Sequence, residues 1–211
     1  MKKQNKHKGR LITFEGIDGC GKSVQAGKVF NYLKKLKKEV ILLREPGSTP
    51  VAEKLRKILL DKKLDIPDLT ELLLYEAARS ELTALKIRPL LANGAVVLCD
   101  RFYDSTTAYQ GYGRKLNIKM VKSLHKIATG NIVPDLTFVF DVDLKTAASR
   151  RGKNPDRLES QSLAFHKRVR RGFQEIARTE KRRVKLIDSS PLPDMIFEQV
   201  KAILKRKLKL T

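Results

Sequence analysis

Cysteine is close to absent from this chain: Cys20 and Cys99 are the two among 211 residues. Two thiols cannot form a disulfide framework, and they lack the paired spacing of a zinc site. Both are expected reduced, and metal binding through sulfur is disfavoured. Long apolar runs are missing too. No window approaches eighteen consecutive apolar residues, and the basic start Met1–Arg10 lacks the apolar stretch of a secretory signal, so a soluble, cytoplasmic chain without a membrane partner is expected. Internal repeats, low-complexity tracts and linkers are lacking as well, and the length suits one well-buried domain better than two.

Acidic residues are scarce relative to basic ones, and the formal charge is +22. Its distribution matters more than its size. Residues 1–10 carry five Lys or Arg and no acid, residues 201–211 again five and none, and residues 145–185 fourteen against four, while residues 11–144 hold twenty-one against sixteen. The excess thus sits on two tails and one late segment, where solvated cations need no partner; incidental attraction to polyanions is the other reading. No specific nucleic-acid partner follows. Residues 1–10 are read as a flexible basic tail and 11–211 as one domain.

Short β-rich runs alternate with helical patterns. Leu11–Glu15, Val40–Arg44, Ala95–Asp100, Leu136–Val142 and Val184–Asp188 read as strands, several of them continuously apolar, as a sheet covered on both faces requires. Helices are expected at about 22–37, 51–60, 68–92, 117–129, 144–150, 160–180 and 193–208. The alternation predicts an α/β fold, a five-stranded, mainly parallel sheet with right-handed crossovers and helices on both faces. Ligands of such sheets bind beyond the carboxyl ends of the strands.

Gly16-Ile17-Asp18-Gly19-Cys20-Gly21-Lys22-Ser23 fits G-x-x-x-x-G-K-[ST] between the first strand and the first helix. Glycines let backbone N–H groups turn inward around phosphate oxygens, Lys22 reaches the β and γ phosphates, and Ser23 can ligate Mg²⁺. All eight residues are expected against ATP. Cys20, beside a helix amino end and Lys22, occupies surroundings that lower a thiol pKa, which makes it a candidate reactive thiolate; an inert small loop residue is the alternative. The loop says only that a nucleotide phosphate is bound, so the acceptor must be sought elsewhere.

Arg44-Glu45-Pro46-Gly47-Ser48-Thr49 follows the second strand, and Asp100-Arg101-Phe102-Tyr103-Asp104-Ser105-Thr106-Thr107-Ala108-Tyr109-Gln110-Gly111 follows the third. With the phosphate loop and the Tyr75-Glu76-Ala77-Ala78-Arg79 run in the long helix, these segments resemble the bacterial thymidylate kinases from about Leu11 to Asp188. The resemblance implies a P-loop kinase fold with a short lid, ATP and Mg²⁺ as cofactors, dTMP as acceptor and dTDP as product for dTTP supply, and a homodimer. It implies dTMP contacts from Asp18, Glu45, Pro46, Tyr75, Arg79, Arg101, Ser105, Tyr109 and Gln110. Ser48 departs from the usual second Gly of its loop, so the backbone there must tolerate a Cβ.

Chemistry supports these roles. Transfer between two anions needs cations where the charges meet, and Arg101 can hold a 5′-phosphate in a bidentate grip; a structural salt bridge to Asp100 or Glu45 is its alternative. Asp100, at a strand end, suits a water-mediated metal contact, and Asp18 is expected near the acceptor's 3′-hydroxyl or the magnesium. Tyr75 and Arg79 share a helix face, the ring to stack on thymine and the guanidinium to donate to a base carbonyl, although an aromatic among Leu72, Leu73 and Leu74 also fits a core. Tyr109 is expected to disfavour a ribose 2′-hydroxyl.

Members of this family supply catalytic arginine either from the phosphate loop or from a lid. Here the loop position is Gly19, so the lid at about 150–159 must provide it, from Arg151 and Arg157 first and Arg150 next; a solvated basic loop is the alternative. Two rival functions stay open: a kinase of another monophosphate or of a nucleoside, for which Glu15 is the candidate base, and a nucleic-acid-binding P-loop ATPase, favoured by charge alone.

Overall fold

The computed structural model describes residues 9–152 and 154–208. Five strands, β1 Arg10–Gly16, β2 Val40–Arg44, β3 Val96–Asp100, β4 Leu136–Asp141 and β5 Val184–Asp188, form one parallel sheet in the order β2-β3-β1-β4-β5. The helices are α1 Lys22–Lys35, α2 Pro50–Leu60, α3 Asp68–Leu82, α4 Arg88–Ala92, α5 Tyr103–Thr106, α6 Ile118–Thr129, α7 Leu144–Ser149, α8 Leu163–Thr179 and α9 Pro193–Leu208. Period-two alternation divides β1 between the two faces: Leu11 joins Val97, Cys99, Leu82 and Leu91 on one side, while Ile12 and Phe14 join Phe138, Phe140, Val29 and Val200 on the other. Phe14, Phe138 and Phe140 are fully buried, each contributing about 1.5–3 kcal/mol by leaving water.

Side-chain caps fix several helix starts. Thr49 Oγ1 accepts from Ala52 N at 3.2 Å ahead of Pro50, Asn117 caps α6, Asp143 caps α7 and Ser162 caps α8. The Ser162 cap sets the start of α8 at Leu163, where 160 was expected. No side chain caps α1, whose amino end is preceded by Gly21 in the left-handed region. The first-turn N–H groups of α1 thus adjoin the phosphate loop, as an anion site at a helix amino end requires.

Two stretches depart from expectation. The helix expected over 68–92 passes through a π-helical turn at Thr83–Ile87, where Arg88 N donates to Thr83 O. Pro89 brings no N–H to this ladder, and the wider turn absorbs the break. Residues 103–113, for which no helix was expected, are helical: α5 runs into a second π-helical segment, Thr107–Gly113, closed by Arg114 N donating to Tyr109 O at 2.9 Å. At the amino end, residues 1–8 of the expected tail lie outside the described residues. The last two do not belong to a tail, because Gly9 N donates to Leu91 O at 2.8 Å and Arg10 opens β1.

The strand order places the segments after β2, β3 and β1 side by side. Glu45 N donates to Asp100 O at 2.9 Å and Arg101 N to Phe14 O at 3.0 Å, so the ladder continues beyond the strand ends into the site.

Candidate active site

The phosphate loop leaves β1 at Gly16 and enters α1 at Lys22. Gly19 has φ +83°, and a Cβ built on it would stand 2.1 Å from Ala147 O of α7. The loop therefore excludes a side chain at the position where the alternative layout carries arginine. Lys22 is buried, with Nζ donating to Asp18 Oδ1 at 3.3 Å, while Ser23 lies exposed on the first turn. Cys20 corrects an expectation. It is buried, and burial pushes its thiol pKa up, outweighing Lys22, so the site protects a thiol rather than a thiolate.

Arg101 joins this loop to the acceptor side. At φ +69° its guanidinium donates to Gly16 O at 2.9 Å, Ser105 Oγ at 2.8 Å, Tyr109 OH at 3.4 Å and the Asp18 carboxylate. Its ion-pair partner is thus Asp18, not Asp100 or Glu45. Tyr109 OH donates to the other Asp18 oxygen at 2.7 Å, and its ring lies 5.2 Å beneath the guanidinium. Burial opposes ionisation of Asp18, but Arg101 and Lys22 outweigh it and hold the carboxyl far below the usual range. Below this node, Glu15 accepts from Phe102 N at 2.7 Å and is bonded to Ser105 Oγ at 2.6 Å. Burial, helped by Asp104, raises its pKa to about 8. Glu15 does not line the pocket and both oxygens are occupied, which removes the base a nucleoside kinase would need.

All nine residues expected against dTMP line one open pocket. Tyr75 is half-buried on its wall, beside the core rather than within it. Arg79 is 2 % exposed, with Nε donating to Glu45 Oε2 at 2.8 Å, Nη1 to Glu76 Oε1 at 2.7 Å and Nη2 to Thr106 Oγ1 at 2.9 Å. Burial raises the Glu45 pKa to about 7 against the pull of Arg79, and its second oxygen, Oε1, is buried without a partner among the described residues. Ser48 has φ +69°; its Oγ accepts from Arg44 N at 2.9 Å and its N–H donates to Glu53 at 2.8 Å, bonds that hold a strained non-glycine residue in place.

Sequence reasoning missed part of this wall. Arg56, Leu60, Phe102, Thr106, Asp156 and Leu158 complete the lining, with Arg56 donating to Pro46 O at 3.0 Å. Behind it lies Glu71, fully buried, which receives Gln110 Nε2 at 2.7 Å, Arg114 Nη2 at 3.0 Å and Arg157 Nη1 at 2.6 Å. Glu71 precedes Tyr75 by four residues and Arg79 by eight, so its helical spacing was an available signal.

The segment expected to form a lid separates its arginines. Arg151 Nε donates to Asp18 O at 3.1 Å, and Arg150 donates to Ser189 O at 2.9 Å and Ser190 O at 3.3 Å, at the carboxyl end of β5. Arg157 is buried, with Nε on Leu59 O at 2.9 Å and Nη1 on Glu71, and among the described residues it makes no bond to the phosphate loop. Beside it the Asp156 carboxylate accepts from Leu158 N and Glu159 N, both at 2.9 Å, and Arg157 N donates to Leu60 O of α2 at 3.4 Å. Lys153 lies outside the described residues.

Among the described residues no group of three or more His, Cys, Asp or Glu forms a metal cage. The donors present fit a magnesium ion carried largely by phosphates. Asp100 Oδ1 is buried without a partner, and the Ser23 hydroxyl is exposed at the loop.

A family model described as thymidylate kinase matches residues 14–200. The thymidylate kinase of Chlorobium chlorochromatii is 41 % identical over 213 residues, covering 95 % of this chain and 96 % of that protein. That of Chlorobium luteolum is 47 % identical over 190 residues, covering 85 % and 89 %. Among solved structures, thymidylate kinase from Ehrlichia chaffeensis superposes with a TM-score of 0.78 at 34 % identity, covering 93 % of this chain and 98 % of that one.

Proposed function

We infer the workings of the site from one premise: the chain belongs to the thymidylate kinase family. It is a kinase that transfers a phosphoryl group from ATP to dTMP and yields ADP and dTDP. The observation that carries the mechanism is the span of Arg101, which reaches Gly16 and Asp18 of the phosphate loop and Ser105 and Tyr109 of the acceptor pocket. A cation so placed stands where the two phosphates meet.

In this reading the loop N–H groups and Lys22 hold the β and γ phosphates, and Arg101 grips the 5′-phosphate of dTMP. An oxygen of that 5′-phosphate attacks the γ-phosphorus in line as the bond to the β–γ bridging oxygen breaks, with no covalent enzyme intermediate. Asp18 neutralises Lys22 and Arg101 while the site is free, and the arriving phosphates take over those cations. Asp100 and Ser23 are the residues that would hold magnesium, which supplies charge neutralisation at the transferring phosphoryl group. Arg151, supported by Arg150, adds lid charge over the phosphates. Tyr75 stacks on the base, Arg79 donates to its carbonyl, and Tyr109 crowds a 2′-substituent.

A homodimer accords with Leu69 and Leu73 of α3 and Met120 and Ile127 of α6, large apolar side chains exposed on two helices packed against each other beside the acceptor pocket. The cytoplasm is the location that goes with ATP and dTMP as substrates.

The test is a panel of nucleoside monophosphates assayed for ADP release with Mg-ATP. We expect dTMP first, dUMP weaker by roughly 1–3 kcal/mol for the missing methyl, and dCMP poorest. Faster turnover of dCMP than of dTMP at equal subsaturating concentration would overturn the base assignment.

A further inference from the structure

We propose that Glu71 is a positioning residue that sets the pyrimidine preference of the acceptor pocket, by holding the Gln110 side-chain amide with its carbonyl oxygen turned toward the base. The inference rests on the acceptor reading above and extends it to a residue that does not line the pocket.

An amide has a donating end and an accepting end, and its surroundings decide which end faces which way. Gln110 Nε2 stands 2.7 Å from Glu71 Oε1. A carboxylate flanked by guanidiniums only accepts, so turning the amide over would set oxygen against oxygen at that separation. Glu71 cannot swing aside to relieve this. It is fully buried, with Arg114 at 3.0 Å and Arg157 at 2.6 Å on Oε2, and Arg114 is itself held by Gln161 Oε1 at 3.1 Å and stacked 4.9 Å over Phe165. The orientation of Gln110 is therefore dictated from behind.

The free end of the amide does the reading. Gln110 lines the pocket, and among the described residues no protein donor bonds its Oε1. An acceptor there suits a pyrimidine that offers N3–H, as thymine and uracil do. Cytosine presents a bare N3 lone pair instead, leaving two acceptors facing each other with neither satisfied. Arg79, lining the same pocket, supplies a donor for the neighbouring carbonyl, so the pair reads acceptor and donor in the sequence that thymine complements and cytosine reverses. Gln110 alone could read either base. The fixed carboxylate behind it removes the choice.

The experiment compares kcat/KM for dTMP and for 5-methyl-dCMP, which keeps the methyl and differs only at N3 and the 4-position, in the wild type and in Glu71→Gln. An amide at position 71 still offers an oxygen to the arginines but can also donate, so Gln110 is free to turn. We expect the dTMP preference to fall by about tenfold or more. A purely structural role would lower both acceptors alike and leave their ratio unchanged, and an unchanged ratio in a folded variant overturns the proposal while leaving the thymidylate assignment intact. A wild type without dTMP preference would overturn both. Should Glu71→Gln fail to fold, proton exchange of the ¹⁵N-labelled Gln110 side-chain amide in the wild type decides. Slow exchange, with and without dTMP, is the expected result; exchange as fast as that of an exposed glutamine would refute the inference.

Discussion

On the acceptor side Arg79, Glu45, Glu71 and Gln110 are each at most 4 % exposed and each meets a charged partner. On the donor side Ser23 is exposed, and Arg150 and Arg151 meet only backbone carbonyls among the described residues. Burying ions such as Arg79 between Glu45 and Glu76 rarely adds stability, because desolvation offsets much of the attraction. Such an arrangement is explained better by selection among bases, which needs groups that stay in place when the wrong base arrives. Charge for the transferring phosphoryl group has the opposite requirement. On the proposed reading it must withdraw to admit ATP and release ADP, which suits Arg150 and Arg151, bonded to backbone carbonyls alone among the described residues.

The sharpest challenge to this division is Arg101, whose guanidinium bonds groups on both sides. Arg101→Ala should lower kcat/KM for dTMP by about 10³-fold or more, through KM as well as kcat, and steady-state kinetics with thermal melting would show it. A folded variant with an unchanged KM would remove Arg101 from acceptor binding.

Arg157 separates the two regions more finely, since it lies in the lid segment and is bonded to the acceptor wall. Arg157→Ala should cost about 1–3 kcal/mol of stability, with Arg114 still paired to Glu71, and should leave kcat within about threefold of wild type at a temperature where the variant is folded. A stable protein with collapsed turnover would return Arg157 to the catalytic charge.

The smallest effect concerns Glu15, which anchors the Arg101 turn from beneath. Its pKa is raised to about 8 by burial and then by Asp104, so the folded chain keeps a proton that the unfolded chain loses near 4.5. Its contribution to stability is therefore complete below about pH 4.5 and lost as pH rises through about 8. Glu15→Gln, a fixed neutral analogue, should show a flatter fall in melting temperature between about pH 5 and about pH 9. Identical slopes in both proteins would count against a buried neutral carboxyl.

How much of this was legible depended on whether a residue announces itself by local spacing. The phosphate loop and the segment from Asp100 to Gly111 carry fixed spacings, and each residue expected against the acceptor from such patterns lines the pocket. The strands were legible because a sheet covered on both faces demands continuous apolar runs, as residues 96–99 of β3 show. The π-helical segment Thr107–Gly113 was not, since its polar and glycine-containing composition gives no helical periodicity and its stability comes from packing on α8. Cys20 looked activated because charge and a helix end are visible in a sequence whereas burial is not. The partners of Arg157 were hidden for a similar reason: Leu59 and Glu71, which it bonds, lie far from it in sequence, although the Asp156–Glu159 turn beside it is a local pattern.

The claim that specificity is built in on one side and catalytic charge delivered from the other is tested most directly by the Arg150→Ala, Arg151→Ala double variant. Steady-state kinetics should show kcat reduced by about 10³-fold or more, with KM for dTMP within about twofold of wild type. A folded double variant with near-wild-type kcat, or one whose loss lies in KM for dTMP, would contradict the account.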